Sequence, residues 1–151
     1  MNVVLVEPEI PQNTGNIGRL CVATNSTLHL VEPLGFRIDD TQLKRAGMDY
    51  WEHLDVHYWN SLDALRRAAP ASARFFYVTT KSKRVYTEQR YREDDYLVYG
   101  RETAGLPKQL IEANAEHCIT IPMWNKKARS LNLATAVAIV LYEALRQTRG
   151  F

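Results

Sequence analysis

Short apolar runs alternate along this chain with longer stretches of helical character. Residues 3–6 (VVLV) are apolar and end at Glu7-Pro8, so they read as a buried strand. A helix is expected from about residue 15 to residue 25. Residues 28–31 give a second strand, closed by Glu32-Pro33. Residues 40–46 suggest a short helix with an aspartate cap and Gly47 at its end. A strand at 56–59 precedes a helix at 61–69, with Ser61 as N-cap and Pro70 as stop. Further strands are expected at 75–79, 96–99 and 118–121, with a helix at 107–115 that carries Pro107 in its first turn.

The last helix is expected over residues 131–149. Leu133, Val137, Val140, Leu141, Ala144 and Leu145 recur at helical spacing. Ser130 or Asn132 can cap its start, and Arg146 and Arg149 suit its C-terminal dipole. Strands alternating with helices predict an α/β fold, a mostly parallel sheet with helices on both faces.

Composition narrows the class without naming a function. A chain of 151 residues is expected to form a single domain spanning 1–151. At that length it buries about 70% of its unfolded surface and needs no disulfide or metal staples. No apolar run reaches membrane-spanning length, and the start MNVVLVEPE has no basic region or cleavage site, so a cytoplasmic protein is expected. Cys21 and Cys118 read as buried reduced thiols. His29, His53, His57 and His117 are scattered, and no metal site is expected.

Net charge is only +2, but its distribution is uneven. Lys81, Lys83, Arg84, Arg90 and Arg92 cluster around a single acid, Glu88, with Tyr86 and Tyr91 between them. Lys126, Lys127 and Arg129 form a second cluster. Such residues suit a phosphate backbone with unstacked bases, or simply a solvated face.

Three loops of small and polar residues follow strands. NTGNIGR at 13–19 offers the amides of Asn13 and Asn16, a helix surface left bare by Gly15 and Gly18, and Arg19 in position for phosphate or ribose. GRETAG at 100–105 combines Gly100, where backbone can approach a ligand, with Gly105, suited to an unusual dihedral, and an inward-facing Glu102. IPMWNKKARSLNL at 121–133 makes a basic excursion and returns at Ser130-Leu131-Asn132, where a helix N-terminus favours an anionic group. Each loop is also readable as an ordinary strand-to-helix turn. Ligands of parallel sheets bind beyond the carboxyl ends of the strands, where all three loops lie.

Together these segments resemble the SPOUT superfamily of trefoil-knot RNA methyltransferases, in that family's motif order. EPEIPQNTGNIGRLC, EPLGF, RAGMDYWE, TTK and YEALRQ resemble its short single-domain branch, which methylates the wobble nucleotide of tRNA. The resemblance implies a C-terminal trefoil knot and a homodimer. It also implies S-adenosyl-L-methionine as cofactor, held by Val78, Gly100, Ile121, Ser130 and Leu131. Arg19, Asn13 and Asn132 match the family's catalytic positions, with Arg19 near the target ribose, and Glu102 matches a polar residue that helps build the site. Lys81, Lys83, Arg84, Lys126, Lys127 and Arg129 are the candidates for contact with the tRNA anticodon loop. Tyr142 falls in the helix expected to pack the dimer. Arg101 departs from the branch, where proline is common. The competing expectations are a methyltransferase of another RNA or of a base, a non-catalytic RNA-binding protein, and a flavodoxin-like binder of a different nucleotide.

Overall fold

The apolar runs of the central strands are continuous, not alternating, because those strands are buried on both faces. In the computed structural model, which describes residues 1–39, 41, 45 and 49–151, the chain forms six strands. These are β1 (Asn2–Val6), β2 (Thr27–Val31), β3 (Val56–Trp59), β4 (Phe75–Val78), β5 (Tyr96–Tyr99) and β6 (Cys118–Ile119). All neighbours are parallel, in the order β3-β2-β1-β5-β4-β6. Central β1 pairs Val3 with Leu28 on one side and with Leu97 on the other.

Strand periodicity then splits the core in two. Val3, Leu5, Leu28, Leu30, Leu97 and Tyr99 point to one face. There they meet Ile17 and Cys21 of helix α1 (Pro11–Ala23) and Val137, Val140 and Leu141 of the last helix. Val4, Val6, Val31, Tyr77 and Val98 point to the other face. They meet Leu65 of helix α2 (Leu62–Ala68) and the flank of helix α3 (Lys108–Ala113). The last helix, α4, spans Leu133–Leu145. Helices therefore cover both faces, as the alternating pattern predicts. Each fully buried aliphatic side chain contributes about 1.5–3 kcal/mol, and such residues fill most of β1 and β2 and the middle of β5.

Element boundaries differ where tertiary contacts intervene. Helix α1 starts a turn earlier than expected, because Pro11 opens its first turn and a distant carboxylate, described below, holds the backbone amides of Glu9 and Ile10 just before it. The Ser61 hydroxyl does cap α2, accepting from the Ala64 amide at 3.1 Å. Strand β6 is shorter than expected. The Thr120 amide donates to the Arg84 carbonyl and its own carbonyl accepts from Tyr86, which draws the chain off the sheet. Helix α4 begins at Leu133 with Asn132, not Ser130, as its cap, and ends in a wider π-type turn over Arg146–Gly150. Arg149 does not serve the dipole of its own helix. It donates to the Thr24 carbonyl at the end of α1 and pairs with Glu93. Arg146 pairs with Glu143. The helix expected at 40–46, with Gly47, falls almost wholly outside the described residues. Both cysteines are buried and free, and burial pushes the Cys21 thiol up to about 12.

The four histidines do not gather. His57 lies on β3, stacked on His29 of β2 with ring centroids 5.4 Å apart. The Trp59 indole N–H donates to His29 Nδ1 at 3.1 Å, so Nε2 carries the proton and donates to the Asn2 side-chain oxygen, also at 3.1 Å. A second proton would displace the indole. Burial, then the neighbouring His57, push the His29 pKa down from 6.5 to about 4. Between those values the unfolded chain binds the proton and the folded chain does not, so stability is full above about pH 6.5 and falls as pH drops towards 4. Acidification from pH 7 to pH 5 should cost about 2 kcal/mol through this group alone. Urea unfolding of the wild type and His29→Gln at both pH values checks this. The variant should lose that part of the pH dependence, and equal dependence in the two proteins would remove His29 as its source.

Candidate active site

The chain adds strands outward from β1 in one direction through β3, then returns to build β5, β4 and β6 on the other side. Parallel sheets of this kind open a crevice at the carboxyl ends of the strands where the winding reverses. That point lies here between β1 and β5.

All three loops converge beside it. The carboxylate of Glu102, beyond β5, accepts from the backbone amides of Glu9 at 2.8 Å and Ile10 at 3.0 Å. These amides sit at the start of α1, where the helix dipole favours a negative charge. The Asn13 side-chain amide donates to the same carboxylate at 3.4 Å. Asn132 in turn donates from Nδ2 to Asn13 Oδ1 at 3.0 Å, while its own oxygen accepts the Thr135 amide at 3.2 Å. The two ends of this string fix every amide orientation, since a carboxylate only accepts and a backbone N–H only donates. One chain of polarised bonds thus joins the loop before α1, the loop after β5 and the N-terminus of α4.

Two further clamps hold the first two loops together. Arg101 donates to Glu7 from Nε and Nη2, at 3.1 and 2.8 Å. Glu9 accepts from the amide and hydroxyl of Thr103, at 3.1 and 2.7 Å, and these bonds hold its carboxyl below the usual range. Glu7 itself adopts a left-handed backbone, φ 53°, an unusual conformation for a non-glycine residue at the end of a strand.

Gly100 is required by the loop itself. Arg101 and Gly105 exchange backbone hydrogen bonds, folding the chain back so closely that a side chain at Gly100 would overlap the Gly105–Leu106 backbone. Close approach was expected there from a ligand, and the loop's own return is what fills the space. Gly105 has φ +67°, the unusual dihedral anticipated for it. Gly18 likewise does not leave α1 bare, because Trp51 and Leu54 pack where its side chain would be.

A cavity of about 250 Å³ opens between the end of β4 and the loops at 100–106 and 121–133, and neither the 13–19 loop nor Asn132 lines it. The end of β4 contributes Val78 to Lys81, and the returning loop contributes Gly100 to Leu106. The segment after β6 adds Ile121 and Met123, and the approach to α4 adds Arg129, Ser130, Leu131 and Leu133. All five residues expected to hold a cofactor, Val78, Gly100, Ile121, Ser130 and Leu131, line it. Thr103, Met123 and Leu133 line it as well, with no signal in the sequence beyond their place beside the motifs. Largely apolar walls with a few threonines and a serine suit a flat heterocycle carrying polar substituents. No aspartate or histidine lines the cavity, and Glu102 is committed to its amides.

A model of the SpoU rRNA methylase family matches residues 1–142. The chain belongs to this family. A Yersinia pestis tRNA (cytidine(34)-2'-O)-methyltransferase is 46% identical, with 97% of this chain and 93% of that protein aligned. A solved structure described as "Structural insights into the 2-OH methylation of C/U34 on tRNA" superposes with TM-score 0.94 at 43% identity, covering 99% of this chain and 97% of the other. The SpoU methyltransferase AviRb from Streptomyces viridochromogenes, solved with AdoMet, superposes with TM-score 0.84 at 25% identity, covering 97% of this chain and 57% of that one.

In this SpoU-family chain the remaining candidates lie apart from the string. Arg19 is exposed and outside the cavity lining, its guanidinium 4.6 Å from the Tyr50 ring centroid. Lys81 and Arg129 reach the cavity rim, and Lys126 and Lys127 sit on an exposed turn beside it. Lys83 is exposed, while Arg84 donates to the Glu116 carbonyl. Tyr91 is not available for stacking on bases. It is buried edge-on to Phe76, and its hydroxyl donates to the Tyr86 carbonyl at 2.6 Å. Tyr86 packs on the same core.

These geometries separate two neighbouring residues. Glu102→Ala leaves two amides at the start of α1 without their acceptor and should destabilise the fold by about 1–3 kcal/mol. Arg101→Ala breaks an exposed ion pair and should cost less than about 1 kcal/mol. Urea denaturation of both variants is the measurement, and equal losses would remove Glu102 from this organising role.

Proposed function

We propose that this chain transfers a methyl group from S-adenosylmethionine to the ribose 2′-oxygen of the first anticodon nucleotide of tRNA, a cytidine or a modified uridine. The observation that carries the reading is the convergence of Val78, Gly100, Ile121, Ser130 and Leu131 on one cavity in a SpoU-family fold. The relatives named above for methylation at position 34 support the substrate, and the AdoMet complex of AviRb supports the cofactor.

Bound there, S-adenosylmethionine supplies a methyl on a positively charged sulfur, a leaving group that needs no acid. The protein's remaining task is to position the hydroxyl and stabilise the charge that develops on it. Backbone amides of the 100–106 loop and the walls of Ile121, Leu131 and Leu133 would hold the cofactor and exclude water. Asn13 and Asn132 keep the loops in register. Arg19 orients the 2′-oxygen. Arginine stays protonated in proteins, so it acts as a hydrogen-bond donor and the proton leaves to phosphate or water.

The site works in a cytoplasmic homodimer, with Arg19 of one copy serving the cavity of the other. Exposed Ile10, Leu131, Tyr142 and Phe151 supply apolar surface for that contact. A trefoil knot belongs to the same reading. It is supported by the path of the chain, which leaves the sheet edge at β6, is held at Thr120 by residues 84 and 86, and returns to place α4 against α1 and β5.

Purified protein with methyl-labelled S-adenosylmethionine and unmodified tRNA tests the proposal. Nucleoside analysis should place a 2′-O-methyl group on the first anticodon nucleotide. Arg19→Ala should lower kcat about 10²–10³-fold while keeping the thermal shift given by S-adenosylhomocysteine. Label on a base, or only on another RNA, would overturn the substrate. A thermal shift with no transfer to any RNA would favour the binding-protein reading.

A further inference from the structure

Trp124 is the most exposed large apolar side chain of the described residues, at 90%. It contributes almost nothing to the core, and an isolated, fully solvated indole has no folding role. Its neighbour Met123 lines the cavity, so its Cα lies about 3.8 Å along the chain from a cavity wall. The turn that follows is well defined. Asn125 Oδ1 accepts the Lys127 amide at 2.9 Å, and the Asn125 carbonyl accepts the Ala128 amide at 3.1 Å. This turn displays Lys126 and Lys127 next to the indole, and the chain re-enters the cavity wall at Arg129. Between His117 and Tyr142 the sequence contains no aspartate or glutamate. The segment that carries the indole is therefore cationic, which opposes a basic protein partner and suits a polyanion bearing flat rings.

We propose that Trp124 is a stacking platform for an unpaired base next to the target nucleotide, with Lys126 and Lys127 holding the intervening phosphates. This rests on the reading of the cavity as an RNA methylation site. It adds a residue that recognises substrate and takes no part in the chemistry. Stacking of this kind tolerates any base, so it sets affinity for a splayed single-stranded loop and leaves the base identity to other contacts.

The test compares Trp124→Ala, Trp124→Leu and Trp124→Phe in the full chain, with unmodified tRNA. Alanine and leucine should raise KM for tRNA about 5- to 100-fold, with the effect on KM and not kcat, and phenylalanine should restore most of the loss. The S-adenosylhomocysteine thermal shift and the unfolding midpoint should be those of the wild type, since the side chain supports neither the fold nor the cavity. Addition of tRNA should quench the wild-type indole fluorescence, and Trp124→Phe should lose that quench while still binding. Wild-type affinity in Trp124→Ala, or leucine performing as well as phenylalanine, would overturn the stacking role. A fall in oligomeric state in Trp124→Ala by sedimentation would assign the indole to contact between copies instead. Failure of the wild type itself to bind tRNA would sink the underlying function along with this inference.

Discussion

One carboxylate organises this molecule's working end. Glu102 accepts the amides of Glu9 and Ile10 just before α1 and the side chain of Asn13, and through Asn13 it reaches Asn132 and the cap of α4. The chain entering α1 through Ile10-Pro11 is thereby fixed by an acceptor from the far side of the site. Placing that acceptor on the loop after β5 makes the stability of α1 and the shape of the cavity a single problem. The Glu7–Arg101 and Glu9–Thr103 clamps reinforce the same joint from the solvent side. Exposed ion pairs contribute little individually, and their value here is to restrict the loop's conformations.

The cavity that results is chemically quiet. Its walls mix aliphatic side chains, threonines and loop backbone, and Glu102 is already engaged with amides. Lys81 and Arg129 at its rim, with Lys126 and Lys127 on the turn beside it, give the opening a positive potential that attracts polyanions.

Much of this was legible in the sequence. Continuous apolar runs bounded by Glu-Pro pairs located the strands, and the alternation with helices predicted the parallel sheet. The three loops were recognisable because glycines and amides cluster where strands end, and five cofactor candidates meet in one cavity. What could not be read depends on partners far away in the chain. The early start of α1 needs Glu102, the shortening of β6 needs residues 84 and 86, and Arg149 finds the end of a different helix. Tyr86 and Tyr91 resembled base-stacking residues because their spacing among arginines is visible, whereas their burial against Phe76 is not. Gly100 was identified as a point of close approach, but only the folded loop reveals that its own backbone is what approaches. Arg19, singled out from its motif, lies outside the cavity and against Tyr50.

The string from Glu102 to Asn132 has a kinetic meaning as well. Its bonds join residues 119 positions apart between Asn13 and Asn132, and 93 apart between Glu9 and Glu102. Contacts so remote in sequence close large loops and form late in folding. The pairing of Val3 with Leu97 is equally remote, so the centre of the sheet and the string that braces its loops close in the same late stage of folding.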